Sequence, residues 1–328
     1  MSKKVLISTL GETPSVVTEA LDFLTKERGI KIDEVVLLTT IDSNAEESLN
    51  LLITHIPEHY KISSIFSEQT TAYDDIDDEK SLMEFMEISC KVLKKYKGSD
   101  VYVSIAGGRK TMSALMTLAV QIYGAKELFH VIVKDQNLEK ESNINRLRHF
   151  PNNEKIKFLH PDKKNITIIR MPFIGLFPWI SDIIKALKGG AVERKEIREL
   201  LVSNDLIKDN KPTDIGKTLL DILDKVESIP EPCKERKYLK PEAVKHHNNM
   251  EIAEMAKKVM DRFNYICEAK PIDWKEGQPK VKIKENDIEF YFQGKKGFNL
   301  GLMFLTTAKT QGQLEAVKND LERYLRIL

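Results

Sequence analysis

The chain has little cysteine: only Cys90, Cys233 and Cys267 among 328 residues. They lie far apart with no CxxC spacing, which excludes a disulfide framework, speaks against a structural zinc site and points to a reducing cytoplasm. It has almost no net charge. Lys and Arg number 51 against 50 Asp and Glu, a balance of +1, so a chain-wide polyanion-binding surface or an acidic tail is excluded and any basic patch is local. No apolar run approaches the ~18 residues that span a bilayer, so no membrane partner is expected. MSKKVLIST opens directly into a strand without the apolar region of a signal peptide. There is no internal repeat, no low-complexity tract, no GxGxxG fingerprint and no Walker A loop, which excludes the usual NAD and ATP cradles. What remains is 41% hydrophobic and 31% charged. That is ordinary globular usage, on a chain long enough for two or three domains at roughly 100–200 residues each.

Short apolar runs alternate with helical patterns over the first half. VLIS (5–8), VVLLTT (35–40), ISSIF (62–66), VYVSIA (101–106) and FHVIV (129–133) read as strands. Between them lie helices near 16–24, 45–56, 82–93 and 109–123, with apolar residues at three- and four-residue spacing. This alternation predicts an α/β fold with a doubly wound, mostly parallel sheet covered on both faces. It stops near 135. The stretch 136–164 is polar, and NITIIRM (165–171) offers a last strand. A small helical module follows, stopped once by Gly189-Gly190, with Thr213 placed to cap its last helix. IPEPCKERKYLKP (229–241) reads as a linker. The remainder combines a helix near 242–263, four strand-like runs and a helix near 313–327, an α+β pattern with an antiparallel sheet. From 233 to 328 there are 19 Lys/Arg against 14 Asp/Glu, a local excess of +5. The expected domains are 1–170, 171–229 and 230–328.

Open α/β sheets bind ligands beyond the carboxyl ends of their strands. Two such ends carry unusual chemistry. One reads Ser8-Thr9-Leu10-Gly11-Glu12-Thr13, and the other Ser104-Ile105-Ala106-Gly107-Gly108-Arg109-Lys110-Thr111. Paired glycines allow a close backbone approach at a helix N-terminus, which favours phosphate. Arg109 and Lys110 add full charges, and Thr39 and Thr40 add hydroxyls at the end of the second strand. The plainer reading is a pair of tight strand–helix turns. The candidate ligand-binding residues are therefore Ser8, Thr9, Leu10, Gly11, Thr13, Thr39, Thr40, Ser104, Ala106, Gly107, Gly108, Arg109, Lys110 and Thr111, for a phosphate-bearing ligand.

STLGETPSVVTEAL together with SIAGGRKTMS resembles the CARF domains (CRISPR-associated Rossmann fold) of type III CRISPR accessory proteins, and most of all the branch of Csm6-like and ring-nuclease proteins. The likeness covers about residues 1–170, and the module at 171–229 resembles a winged helix-turn-helix. The resemblance implies a Rossmann-like CARF domain, a homodimer, and a cyclic oligoadenylate as ligand, most often the tetra-adenylate, held across the two-fold axis. It also implies that such a domain can cleave its ligand by attack of a ribose 2′-hydroxyl on the adjacent phosphate. Ser8, Thr9, Arg109 and Lys110 are the candidates here, and binding without cleavage is the alternative. No metal and no cofactor is expected, and no metal-ligand cluster is expected in this half.

The near-balanced helix ERKEIRELLV gives the middle module little drive toward DNA, so a coupling role is expected before a regulator's. At the end of the chain, the Arg-x4-6-His motif of HEPN ribonucleases is missing. Glu268-Ala269-Lys270 matches only the last element of a PD-(D/E)xK nuclease. IEFYFQGKKGFNLGLMFLTTAKTQGQLEAVKNDLERYL resembles the end of RelE/HigB-type toxins, which implies metal-independent cleavage of mRNA on the ribosome. Lys282 and Lys284, Lys309 and Tyr291 are then the candidate catalytic residues, with Lys280, Lys295, Lys296, Phe298 and the pair His246-His247 nearby in sequence. The lysines at 280, 282 and 284 alternate onto one face, where they equally suit a solvated sheet edge. The expectation is a cytoplasmic sensor that gates a ribonuclease. The alternatives are a ring nuclease with a structural C-terminal domain, and a ligand-controlled DNA-binding regulator.

Overall fold

The computed structural model describes residues 2–325 apart from 71, 72, 245, 247, 275, 276, 278, 279, 286 and 296. His247 and Lys296 thus lie outside the described residues. The chain divides into two compact units, residues 1–223 and 224–328.

In the first unit, β1 (Lys4–Thr9), β2 (Glu34–Thr39), β3 (Ile65–Gln69), β4 (Asp100–Ser104) and β5 (Glu127–Val133) run parallel, and β6 (Ile166–Met171) pairs antiparallel with β5. Their order is β3-β2-β1-β4-β5-β6. The central strands read as unbroken apolar runs because both faces are covered. Leu6, Val35, Leu37, Tyr102 and Phe129 form one core with α1 (Ser15–Asp22) and α2 (Ser43–Tyr60). Val5, Ile7, Val36, Leu38 and Val103 alternate to the other face and are buried too. On α3 (Glu79–Lys95) and α4 (Lys110–Tyr123), which pack together, Phe85, Met86, Met116 and Val120 are buried.

Two sequence expectations change here. Helix α2 does not stop at 56 but runs through Pro57 to Tyr60. Pro57 stands in the last turn, where its missing N–H removes only one bond. The polar stretch 136–164 holds three short helices: α5 (Gln136–Glu141), α6 (Ile144–Leu147) and α7 (Asn152–Leu159). Asp135 and Asn143 cap the first two through their side chains. Such short helices show no periodicity, and only Ile144, Leu147 and Leu159 are buried, packed with Leu51, Phe150 and Phe158.

Helices α8 (Ile180–Leu187) and α9 (Lys195–Ser203), the hairpin of β7 (Ile207–Lys208) and β8 (Lys211–Pro212), and α10 (Asp214–Glu227) follow. Ile183, Leu187, Ile197, Leu201, Ile207 and Leu223 make their core. Thr213 Oγ1 accepts the Gly216 N–H at 3.1 Å, which caps α10 as its sequence predicts.

The second unit is a four-stranded antiparallel sheet. Its strands are β9 (Ile266–Ile272), β10 (Val281–Lys284), β11 (Asp287–Gln293) and β12 (Asn299–Thr306), in the order β10-β11-β12-β9. It packs with α11 (Asn249–Arg262) and α12 (Gln311–Leu325) around Phe290, Phe304, Leu302, Val259 and Val317. Cys233 and Cys267, 34 residues apart in sequence, are joined as a disulfide with Cα atoms 5.5 Å apart. That corrects the exclusion of disulfides drawn from their spacing, because the fold brings the linker against β9, where Lys237 N–H donates to Cys267 O. Among the described residues, no helix is long and apolar enough to cross a membrane.

Candidate functional site

The strand order reverses between β1 and β4, so the crevice of the first unit opens there. A cavity of about 600 Å³ occupies it, within the range of about 300–1,000 Å³ usual for small-molecule sites. Of the residues singled out in the sequence, Leu10, Gly11, Thr13, Thr40, Ala106, Gly107, Gly108 and Arg109 line it. Ser8, Thr9, Thr39 and Ser104 do not. All four are fully buried behind the lining. Ser8 Oγ donates to Thr9 O at 3.1 Å, and Thr9 Oγ1 donates to Gly107 O at 2.7 Å. Lys110 and Thr111 sit on the exposed first turn of α4, outside the lining.

The glycines serve the backbone first. A methyl group on Gly107 would stand 2.2 Å from Thr9 O, and one on Gly11 2.7 Å from the Gly108 Cα. The two turns therefore touch main chain to main chain, and Gly108 takes φ +78°, where Cβ-bearing residues are strained. Arg109, just before α4, is not a free cation: its Nε and Nη2 bind Asp75 Oδ1 and Oδ2 at 3.0 and 2.7 Å. Lys110 has no ion-pair partner among the described residues.

Sequence reasoning missed the acidic part of the lining: Glu12, Asp42, Asp74, Asp75 and Glu139, joined by His130 and Asn143. Glu12 is held by Asn44 and Asn143 through their side-chain amides at 3.3 and 3.1 Å. Asp42 is spent on capping α2 through the Asn44 and Ala45 amides. Only the tertiary fold collects these groups, from the connections after β1, β2 and β3, from β5, and from α5 and the residue before α6. On the buried face of α1 stands Glu19, 1% exposed. Burial above all, with Asp22 and Glu139 adding repulsion, raises its pKa to about 7.

The expectation that this half holds no metal-ligand cluster is overturned. One ring nitrogen from each of His55, His59 and His160 lies within 4.8 Å of the others. The sequence signal was the four-residue spacing of His55 and His59, which an α2 ending at 56 would have split.

In the second unit, Lys282 and Lys284 stand exposed on the edge strand β10, beside the exposed Lys280. Lys284 Nζ pairs with Glu289 Oε1 at 3.1 Å, and the Tyr291 hydroxyl donates to Glu289 Oε2 at 3.1 Å. Burial opposes ionisation of Glu289, but these two hydrogen bonds, with the charges of Lys284 and Lys282, hold its carboxyl below the usual range. Tyr291 is 4% exposed, so its ring offers no face for a base to stack on. Phe298 is half exposed, and Lys309 lies exposed ahead of α12.

The sequence matches the family described as CRISPR-associated protein NE0113 over residues 13–206, more than half of the chain. The chain belongs to that family, and with it to the type III CRISPR accessory proteins that carry a CARF domain. It is 30% identical over 153 residues to the CRISPR system ring nuclease SSO2081 of Saccharolobus solfataricus, covering 44% of this chain and 81% of that one. The structure of Enterococcus italicus Csm6 bound to cyclic hexa-2′-fluoro-hexa-dAMP aligns at 14% identity with a TM-score of 0.35, over 69% of this chain and 55% of that one. The chain thus spans little more than half of that protein, at a score too low to equate the two folds.

Proposed function

We propose that the first unit binds a cyclic oligoadenylate in the β1/β4 crevice and cleaves it as a ring nuclease, working as a homodimer. One observation carries the reading. The cavity is built from the main chain of both glycine turns, in a chain that belongs to a CRISPR-associated family and is 30% identical to a ring nuclease over 153 residues. A ring of four or more nucleotides exceeds what one cavity of about 600 Å³ encloses, which suits a site completed by a second copy across a two-fold axis.

In the reaction, a ribose 2′-oxygen bonds to the adjacent phosphorus while the bond to the 5′-oxygen breaks. The product ends are a 2′,3′-cyclic phosphate and a 5′-hydroxyl. The step needs in-line positioning and positive charge on the developing phosphorane. Lys110, Arg109 once released from Asp75, and the first amides of α4 supply that charge. Thr9 acts as a positioning residue, since its hydroxyl ties the two turns together from behind, while the Ser8 hydroxyl holds only the neighbouring Thr9 carbonyl. Asp75 and the other lining carboxylates oppose an anion, so affinity depends on Arg109 changing partners.

A second reading has one observation of its own, the exposed Lys280, Lys282 and Lys284 on one edge of the second unit. In it, residues 230–328 form a RelE-like ribonuclease acting on RNA, gated by the ligand and coupled through a winged helix at 171–229. One experiment separates the two. The full chain is incubated with cyclic tetra-adenylate in EDTA, and the nucleotides are resolved by chromatography. In parallel, mRNA is incubated with and without ribosomes, with magnesium enough to keep them assembled. Ring opening with no RNA cleavage is expected, and Thr9→Ala, which removes the bond to Gly107 O, should slow it more than it weakens binding. An intact ring beside ligand-dependent RNA cleavage would make the protein an effector and overturn the ring-nuclease reading.

A further inference from the structure

Three imidazoles from two elements face one another on the α1/α2 side of the first unit. His55 and His59 are one turn apart on α2, and His160 closes the C-terminal end of α7. His55 Nε2 and His160 Nε2 are 2.7 Å apart, and the rings of His59 and His160 stack at 4.0 Å. Behind His160 stands Asp22, the last residue of α1. His160 Nδ1 lies 2.9 Å from Asp22 Oδ2, while the other oxygen, Oδ1, receives the Tyr60 hydroxyl at 2.5 Å and Lys26 Nζ at 2.8 Å.

These contacts assign the tautomer. A carboxylate only accepts, so His160 Nδ1 carries the proton it gives to Asp22. In the neutral ring the lone pair then lies on Nε2, which points at His55. A carboxylate that holds one ring nitrogen while the other faces a group of imidazoles is the outer-shell arrangement that orients a metal-ligating histidine. Asp22 is itself fixed by Tyr60 and Lys26, so the orientation does not depend on His160 alone.

We propose that His55, His59 and His160 bind one Zn²⁺ per chain, with Asp22 as the positioning carboxylate and a fourth position left to water. Three neutral imidazoles and a water form a tetrahedral set for this borderline ion, whose Zn–N bonds of about 2.0–2.1 Å place ligand nitrogens about 3.3 Å apart. Reaching that spacing requires His55 and His160 to part slightly and the exposed His59 to swing inward. Lys26 is the opposing group. Its ammonium lies 3.3 Å from His59 Nε2, but its side chain is half exposed and withdraws to solvent when the dication enters. None of these residues lines the β1/β4 cavity, so the ion's role is to clip the ends of α1, α2 and α7 together, separately from ring chemistry.

The test uses the full chain without an affinity tag, stripped with EDTA and dialysed. Co²⁺ is titrated as a spectroscopic probe, and Zn²⁺ affinity is read by competition with a chromophoric chelator. The expected result is one equivalent, with the visible absorption of a tetrahedral cobalt site. Asp22→Asn should weaken Zn²⁺ about 10–100-fold. His55→Ala and His160→Ala should weaken it by more than that. His59→Ala should do the same without endangering the fold, because that ring is exposed. His149→Ala, an exposed histidine outside the cluster, should bind like wild type. Absence of the cobalt band, or a His59→Ala protein that binds as tightly as wild type, would overturn the site.

Discussion

At the scale of single residues, the Arg109–Asp75 pair decides how the crevice meets an anion. The guanidinium is 69% exposed, so the pair itself is worth little, of the order of 0.2–1 kcal/mol. A phosphate can therefore displace Asp75. With a non-cleavable 2′-deoxy cyclic tetra-adenylate in a calorimeter, Asp75→Asn should bind about two- to fivefold tighter than wild type. Arg109→Ala should bind about ten- to hundredfold more weakly. Equal affinity in all three proteins would leave Arg109 as nothing more than Asp75's partner. Glu19 makes a different prediction. Its folded pKa of about 7 lies above the ordinary glutamate value of 4.5, so the native state keeps a proton that the unfolded chain releases. Stability attached to this group is therefore greatest below pH 4.5 and is lost as pH rises through 7. Glu19→Gln should leave stability near pH 5 little changed and raise it at pH 8 by roughly 1–3 kcal/mol. Urea unfolding at the two pH values measures this, and a pH-independent difference would refute it.

At the scale of elements, the crevice depends on two turns in main-chain contact. Gly107→Ala drives a methyl group into Thr9 O from 2.2 Å, and backbone cannot step aside as a flexible side chain can. The β1 and β4 turns should separate locally while the sheet, held by buried Val5, Ile7 and Val103, persists. Ligand affinity should then fall well beyond tenfold while circular dichroism stays that of wild type. Retained affinity would mean that the turns do not shape the site. In the second unit, β10 is an edge strand whose exposed lysines blunt pairing with another sheet, and one of them is already neutralised by Glu289. Charge on that strand is thus explained without RNA, which is why the ring-nuclease reading is the stronger one.

At the scale of the whole molecule, the second unit carries a covalent constraint that the first lacks. Closing a 34-residue separation should stabilise that unit by about 3–4 kcal/mol through the unfolded chain. A reductant should therefore lower the melting of the second unit and leave the first unchanged. Cys90 reports on the first unit: it is fully buried, and burial above all pushes its thiol pKa far up, so it should stay unreactive in both conditions. Alkylation followed by mass spectrometry should find no fast thiol before reduction and two after it. Two reactive thiols without reductant would mean that Cys233 and Cys267 stand apart.

The strands of the first unit, their parallel pairing, the crevice and the glycine turns that line part of it were legible in the residues themselves. Continuous apolar runs, helical spacing and glycine turns are local signals, and each needs only its own segment to be read. The disulfide, the carboxylates around the crevice, the ion pair that holds Arg109 and the histidine cluster were not. Asp22, His55, His59 and His160 span 139 residues, and their meeting depends on α2 continuing past Pro57 and on a polar stretch folding into short helices beside α1. Proximity between distant segments is set by packing, and packing is decided by the tertiary structure alone. Local pattern therefore determined the strand–helix architecture of the first unit and the glycines and cations of its crevice, while the groups that oppose, hold or supplement those cations were placed by the fold.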